Sequence, residues 1–120
     1  MLEKIIELTN EYIEGMPKKE RKKYGQFFTS METARFMAGL YNIDEKQNKI
    51  SVLDAGAGSG ILSCAFIERL EMIDSIQEIE LTCYENDNNV LPLLKRNLEY
   101  CKEKSRKKIK VHIIEDNYIL

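Results

Sequence analysis

Three acids and a run of glycines carry most of the chemistry available to this sequence. Asp54, Ala55, Gly56, Gly58 and Gly60 follow directly on the short apolar run Ile50 to Leu53. Alternating glycines let a backbone turn sharply and approach a ligand with no Cβ in the way. A helix pattern begins at Ile61, and a helix start offers unpaired N–H groups and a partial positive charge that suit a carboxylate or phosphate. The dinucleotide fingerprint G-x-G-x-x-G requires a glycine at position 61, where this chain has isoleucine. The form here is D-x-G-x-G-x-G. An acid closing the strand favours an ammonium or sulfonium charge and repels a pyrophosphate. Glu85 closes a second strand-like run 25 residues beyond Gly60. That is near the spacing of about 20 at which such an acid meets both ribose hydroxyls. Asp116 follows a third run and completes the set.

The elements that must position these groups can be read from the pattern. Residues 2, 5, 6, 9, 13 and 16 are apolar (counting the Thr9 methyl), a helical spacing that Gly15 and Pro17 stop. Lys18 to Lys23 reads as a basic linker. Thr29 with Glu32 makes a capping-box pattern for a helix to about Tyr41, expected to bury Ala34, Phe36, Met37 and Leu40. Asn42 to Lys49 is a polar loop. Ile50–Asp54 reads as a strand, Ile61 to about Asp74 as a helix, and Glu78–Glu85 as a second strand. A further helix runs from Asn88, as N-cap, to about Lys104 with Pro92 in its first turn, and Lys108–Ile114 is a third strand. This alternation predicts an α/β fold with a parallel sheet in strand order 3-2-1, a partial Rossmann-like sheet with N-terminal helices. Ligands in such folds sit at the carboxyl ends of the strands, where Asp54, Glu85 and Asp116 are expected to converge.

At 120 residues, with 43% hydrophobic and 32% charged residues, the chain is one small globular domain or a piece of a larger one. No apolar run approaches the roughly 20 residues of a membrane span, so no membrane partner is expected. Cys64, Cys83 and Cys101 are odd in number and lack metal-ligand spacing, which predicts reduced thiols in a cytoplasm and no metal. His112 reads as a packing or surface residue. The net charge of −2 conceals two basic clusters. Lys18, Lys19, Arg21, Lys22 and Lys23 form one, and Lys102, Lys104, Arg106, Lys107, Lys108 and Lys110 the other.

In this order the three sites resemble class I S-adenosylmethionine-dependent methyltransferases. Asp54 and the glycine loop look like motif I and Glu85 like motif II. Asp116 looks like motif III, whose acid typically binds the adenine amino group, although the usual next aromatic is displaced to Tyr118 behind Asn117. Tyr24-Gly25-Gln26-Phe27-Phe28-Thr29 is similar to motif X of the amino-group DNA methyltransferases of restriction–modification systems. In their γ-type order motif X precedes motif I and helps hold the methionine end of the cofactor. Ser30 stands where that family has proline. The resemblance implies S-adenosylmethionine as cofactor, DNA as partner, and adenine N6 as the methylated atom. It also implies cofactor contacts from Gln26, Phe27, Thr29, Asp54, Ala55, Gly56, Gly58, Gly60, Glu85, Asn86 and Asp116.

These enzymes carry an N-P-P-Y tetrapeptide a short way past motif III, whose Asn and Pro hold the target amine while the ring stacks on the flipped base. The two prolines here, Pro17 and Pro92, are not adjacent. The expectation is therefore a helix and basic linker over 1–23, a partial cofactor-binding domain over 24–120, and no catalysis by the chain alone. The strand at 50–54 is expected to leave an apolar edge open to self-association. The alternatives are a fragment of an RNA or protein-glutamine methyltransferase, or a non-catalytic cofactor-binding module that needs a partner subunit.

Overall fold

Three parallel strands, β1 (Lys49–Asp54), β2 (Glu78–Tyr84) and β3 (Lys108–Ile114), form a sheet in the order β1-β2-β3. The computed structural model describes residues 1–118; the side chains of Gln26 and Phe27 lie outside the described part. Register sorts the side chains by face, because successive residues of a strand point to opposite sides. The rows Ile50–Ile79–Ile109, Val52–Leu81–Val111 and Asp54–Cys83–Ile113 share one face. Against it pack Ile61, Cys64, Ile67 and Leu70 of α4 (Ile61–Glu71) and Leu94, Leu98 and Cys101 of α5 (Leu91–Lys104). Each aliphatic side chain fully buried there contributes about 1.5–3 kcal/mol. The opposite face carries Lys49–Glu78–Lys108 and Ser51–Glu80–Lys110, alternating charges that water solvates. His112 stands on this face, 3.7 Å from Glu80 and exposed.

A helical layer closes the buried face from the amino-terminal side. In α1 (Leu2–Glu14) the residues Leu2, Ile5 and Thr9 point into the same core. Arg35 of α3 (Met31–Gly39) clamps the start of α1, bonding Glu3 at 2.7 Å and Glu68 of α4 at 2.9 Å. Glu68 also accepts from the Leu2 N–H at 3.1 Å, an acid where the dipole of α1 favours one.

The linker expected over Lys18–Lys23 is instead the first part of a helix, α2 (Lys18–Phe27). Lys, Glu and Arg are strong helix formers even without an apolar stripe, Pro17 presets the entry, and buried Tyr24 anchors the far end. The cap of α3 falls one residue later than the Thr29–Glu32 pattern implied: Ser30 Oγ accepts from the Thr33 N–H at 3.2 Å. That helix buries Ala34 and Ala38 against α4, whereas Phe36 (68% exposed), Met37 and Leu40 (66%) stay outside the core. With small residues on the covered stripe, α3 sits close to one neighbour and turns its large residues away from it. Val90, not Asn88, caps α5, and Pro92 does lie in its first turn. No described helix is long and apolar enough to cross a membrane, and no described group of acids, histidines or cysteines could hold a metal ion.

Candidate functional site

Cross-strand hydrogen bonds bring the three strand ends together. The Ala57 N–H, in the loop after β1, donates to Tyr84 O at 3.0 Å, and the Glu85 N–H donates to Ile114 O at 3.1 Å. The loop between β1 and α4 needs its last two glycines for the chain's own sake. Gly58 has φ +55 and Gly60 φ +85, in the left-handed region, and a Cβ on Gly60 would lie 2.9 Å from Leu94 Cδ1. Gly56 differs: its φ is not positive and a Cβ there would meet nothing within 4 Å. Neither fold nor packing requires glycine at 56, so the space beside its backbone is free for a ligand.

Asp54 ends β1 half-buried, and the Ser63 hydroxyl donates to its Oδ2 at 2.6 Å. One carboxylate oxygen is thereby fixed, and the other has no hydrogen-bond donor among the described residues. Ser63 is itself 3% exposed, in the first turn of α4. Sequence reading passed over it; the signal was a hydroxyl on the first helical turn after an acid-terminated strand.

Glu85 is the hub of the loop after β2. Its Oε1 accepts from the Gly58 N–H at 2.8 Å, and its Oε2 from the N–H groups of Asn86 at 3.1 Å and Asp87 at 2.9 Å. One side chain therefore ties the glycine loop to the segment after β2. The loop is braced from α2, where the Tyr24 hydroxyl donates to Asp87 Oδ2 at 2.6 Å; that bond and burial both push the phenol upward in pKa. Tyr12 of α1 adds a bond to Asn89 O, also at 2.6 Å. Neither tyrosine was legible as a brace, because each lies more than 60 residues from its partner in sequence.

Thr29 and Phe28 reach the same place. They line a hollow of about 110 Å³ with Asp54, Gly56 and Gly58, and Phe28 ring carbons stand 3.8 Å from where a Cβ of Gly58 would be. A larger cavity, about 460 Å³, shares Asp54, Ala55 and Gly56 and extends along β1 past Tyr41 and Phe66. Asp116 follows β3 exposed, and its carboxylate accepts from the Asn117 N–H at 2.8 Å. Tyr118 packs edge-on against Tyr84, centroids 5.1 Å apart, rather than beside Asp116. The expected contributions of Gln26 and Phe27 fall on side chains outside the described residues.

Helices on a parallel sheet, with acids and a glycine loop gathered at the carboxyl ends of the strands, define an α/β domain with its candidate site where ligands sit in such folds. The family model for N-6 DNA Methylase matches residues 10–118, and the chain belongs to that family. It is 38% identical over 101 residues to the type II methyltransferase M.BsuBI of Bacillus subtilis, covering 84% of this chain and 19% of that protein. It is 35% identical over 82 residues to the type II methyltransferase M.PstI of Providencia stuartii, covering 68% of this chain and 16% of that one. Either match thus covers less than a fifth of the relative's length.

Proposed function

We propose that this chain is the S-adenosylmethionine-binding part of an adenine-N6 DNA methyltransferase of a restriction–modification system, acting in the cytoplasm. The observation that carries the reading is the site at Gly56, where a glycine that the fold does not need lies between Asp54 and the Glu85-bound loop. On this reading the sheet is the first half of a Rossmann-like methyltransferase fold. Residues 24–120 hold the cofactor, and residues 1–23 brace the pocket.

The cofactor, when bound, supplies an electrophilic sulfonium methyl. Asp54, with one oxygen held by Ser63, turns the other toward the ammonium of the methionine end. Phe28 and Thr29, which line the hollow beside the glycine loop, would close that end against water. Ala55 and Gly56 would let the backbone lie against the ligand, and Gly58 and Gly60 give the loop the turn that presents it. Glu85, whose Oε1 keeps one lone pair beyond the Gly58 N–H, would accept from a ribose hydroxyl beside Asn86, and Asp116 would accept from the adenine amine. Residues 1–120 contain no N-P-P-Y tetrapeptide to hold a target amine, so this chain by itself binds cofactor and transfers no methyl group to DNA.

Calorimetric titration with S-adenosylmethionine and, separately, NAD tests the reading. Saturable binding of the first is expected with Kd of about 0.1–1 mM, equivalent to roughly 4–5.5 kcal/mol. Weakening by Asp54→Asn is expected as well. Binding of the dinucleotide but not of the sulfonium compound would refute it.

A further inference from the structure

The basic run of α2 takes no part in the cofactor pocket, yet the fold gives it a definite face. At 3.6 residues per turn, Lys18, Lys19, Arg21, Lys22 and Lys23 spread over an arc of about 200°. Tyr24 lies outside that arc and points inward to Asp87. All five cations are exposed, and among the described residues none makes an ion pair or hydrogen bond. Lys23 Nζ alone has a partner, the Tyr24 ring at 5.3 Å. Glu20, the helix's one acid, lies toward the inward side, lining a groove with Asn89 and Arg96. The pairs Lys18/Lys22, Lys19/Lys23, Lys18/Arg21 and Lys19/Lys22 fall at the i,i+3 and i,i+4 spacings where like charges repel. Glu20 stands i,i+3 from Lys23 alone, and no described acid pairs with the other four; a polyanion would relieve their repulsion.

The second basic cluster provides the contrast. Arg106 pairs with Glu71, Lys107 donates to Ile73 O at 2.9 Å, and Lys108 and Lys110 stand in register with Glu78 and Glu80. Arg106 and Lys107 are thus engaged within the fold, and Lys108 and Lys110 face acids on the next strand. Among the described residues only Lys102 and Lys104 of the cluster stand without an acid, at the end of α5 that leads to the amino end of β3, away from the site. In contrast, α2 runs into Phe28, which touches the glycine loop, and a ten-residue helix is only about 15 Å long. Its cations therefore lie within about 15 Å, along the helix, of the residue that lines the pocket beside the glycine loop.

We propose that the exposed face of α2 binds the phosphate backbone of duplex DNA and holds the duplex at the mouth of the cofactor site. The proposal rests on the methyltransferase reading for its choice of polyanion. Such contacts position a duplex without reading its sequence.

The test is fluorescence anisotropy of a short mixed-sequence duplex titrated with the 120-residue chain. Lys18→Gln, Arg21→Gln and Lys22→Gln are combined in one variant, and Lys102→Gln, Lys104→Gln and Lys110→Gln in a control. Glutamine keeps helix propensity, and circular dichroism with a thermal melt confirms that each variant folds. Loss of three phosphate contacts should make the log–log salt dependence shallower by about 2–3 and weaken binding about tenfold or more at low salt. The control should bind like the parent. Equal losses in both variants, or no loss in the α2 variant, overturns the proposal. So does α2-dependent binding to phosphatidylcholine–phosphatidylserine vesicles with none to the duplex. Titration of the same proteins with S-adenosylmethionine separates the two readings. If α2-dependent duplex binding persists where the parent takes no cofactor, the pocket reading fails and this surface stands. If cofactor binds and the α2 variant holds DNA as the parent does, this surface fails and the pocket reading stands.

Discussion

Replacing Glu85 by Gln keeps the size of the side chain and removes one of its two acceptor oxygens. The native carboxylate takes three backbone N–H groups, from Gly58, Asn86 and Asp87. With the amide oxygen turned to Asn86 and Asp87, the amide NH₂ confronts the Gly58 N–H, donor against donor. One charge-assisted bond, of about 1.5–3 kcal/mol, is lost, and two weaken by roughly 1 kcal/mol each as they become neutral. The loop is half-exposed and water replaces part of this, so about half is retained as a loss, near 2 kcal/mol. For 120 residues an unfolding entropy of about 2.1 cal/mol/K per residue converts this to a fall in Tm of about 8 °C. Scanning calorimetry measures it directly, and titration with S-adenosylmethionine run alongside should show a further loss of about 1–3 kcal/mol in binding from unpaired ribose hydroxyls. A Tm within 2 °C of the parent (about 0.5 kcal/mol by the same conversion) would mean that water satisfies these N–H groups and that Glu85 does not hold the loop.

Further outcomes follow from the same geometry. The hydrogen bond from Arg35 holds the Glu3 carboxyl at about 2, against an ordinary 4.5. A depressed folded pKa gives stability that is fully present above about 4.5 and lost as pH falls toward 2. Urea denaturation across that window should therefore show an acid limb that Glu3→Gln flattens, and an unchanged limb would count against the clamp. Burial pushes the Cys83 thiol up to about 12, while the hydrogen bond from Cys101 together with burial raises Cys64 well above the usual range. Iodoacetamide near neutral pH should label these two only after unfolding, as mass spectrometry would show. The β1 edge has a neighbour on one side only and presents Leu53 at 50% exposure. Light scattering of the concentrated 120-residue chain should report a dimer or larger, and Leu53→Lys should reduce it, because a charge at a strand edge blocks pairing. A monomeric parent under those conditions rules that out.

The strands and the two long helices were legible because each buries one face, and periodicity records burial. β2 and β3 were placed within a residue of their observed ends, and α4 and α5 within three. The α2 helix was not, since its first six residues bury almost nothing and leave no apolar period to detect; propensity and the Tyr24 anchor hold it. Phe36, Met37 and Leu40 misled in the opposite sense, because periodicity marks an apolar stripe without saying whether a neighbour lies against it. At the site, Asp54, the glycines and Glu85 were visible as chemistry at strand ends. What sequence withheld was their second attachment: the Ser63 hydroxyl on Asp54, the three N–H groups on Glu85, and the tyrosines that steady the next turn. Those depend on where distant segments meet.

The amino-terminal helix waits longest for α5 among its partners. Arg96 reaches Leu8 O at 3.0 Å, and buried Asn97 bonds both Thr9 and the Ser59 carbonyl, the first two contacts spanning 88 residues. At a synthesis rate of about 5–20 residues per second, α1 leaves the ribosome roughly 4–18 s before α5 exists to receive it. During that interval α1 can meet α3 and α4 through Arg35 and Glu68, but Thr9 lacks its Asn97 partner and the glycine loop lacks the amide that will fix its carbonyl. Completion of this layer therefore waits on the synthesis of α5. A nascent chain stalled before α5 should be a target for chaperones and proteases even though its first element is already complete.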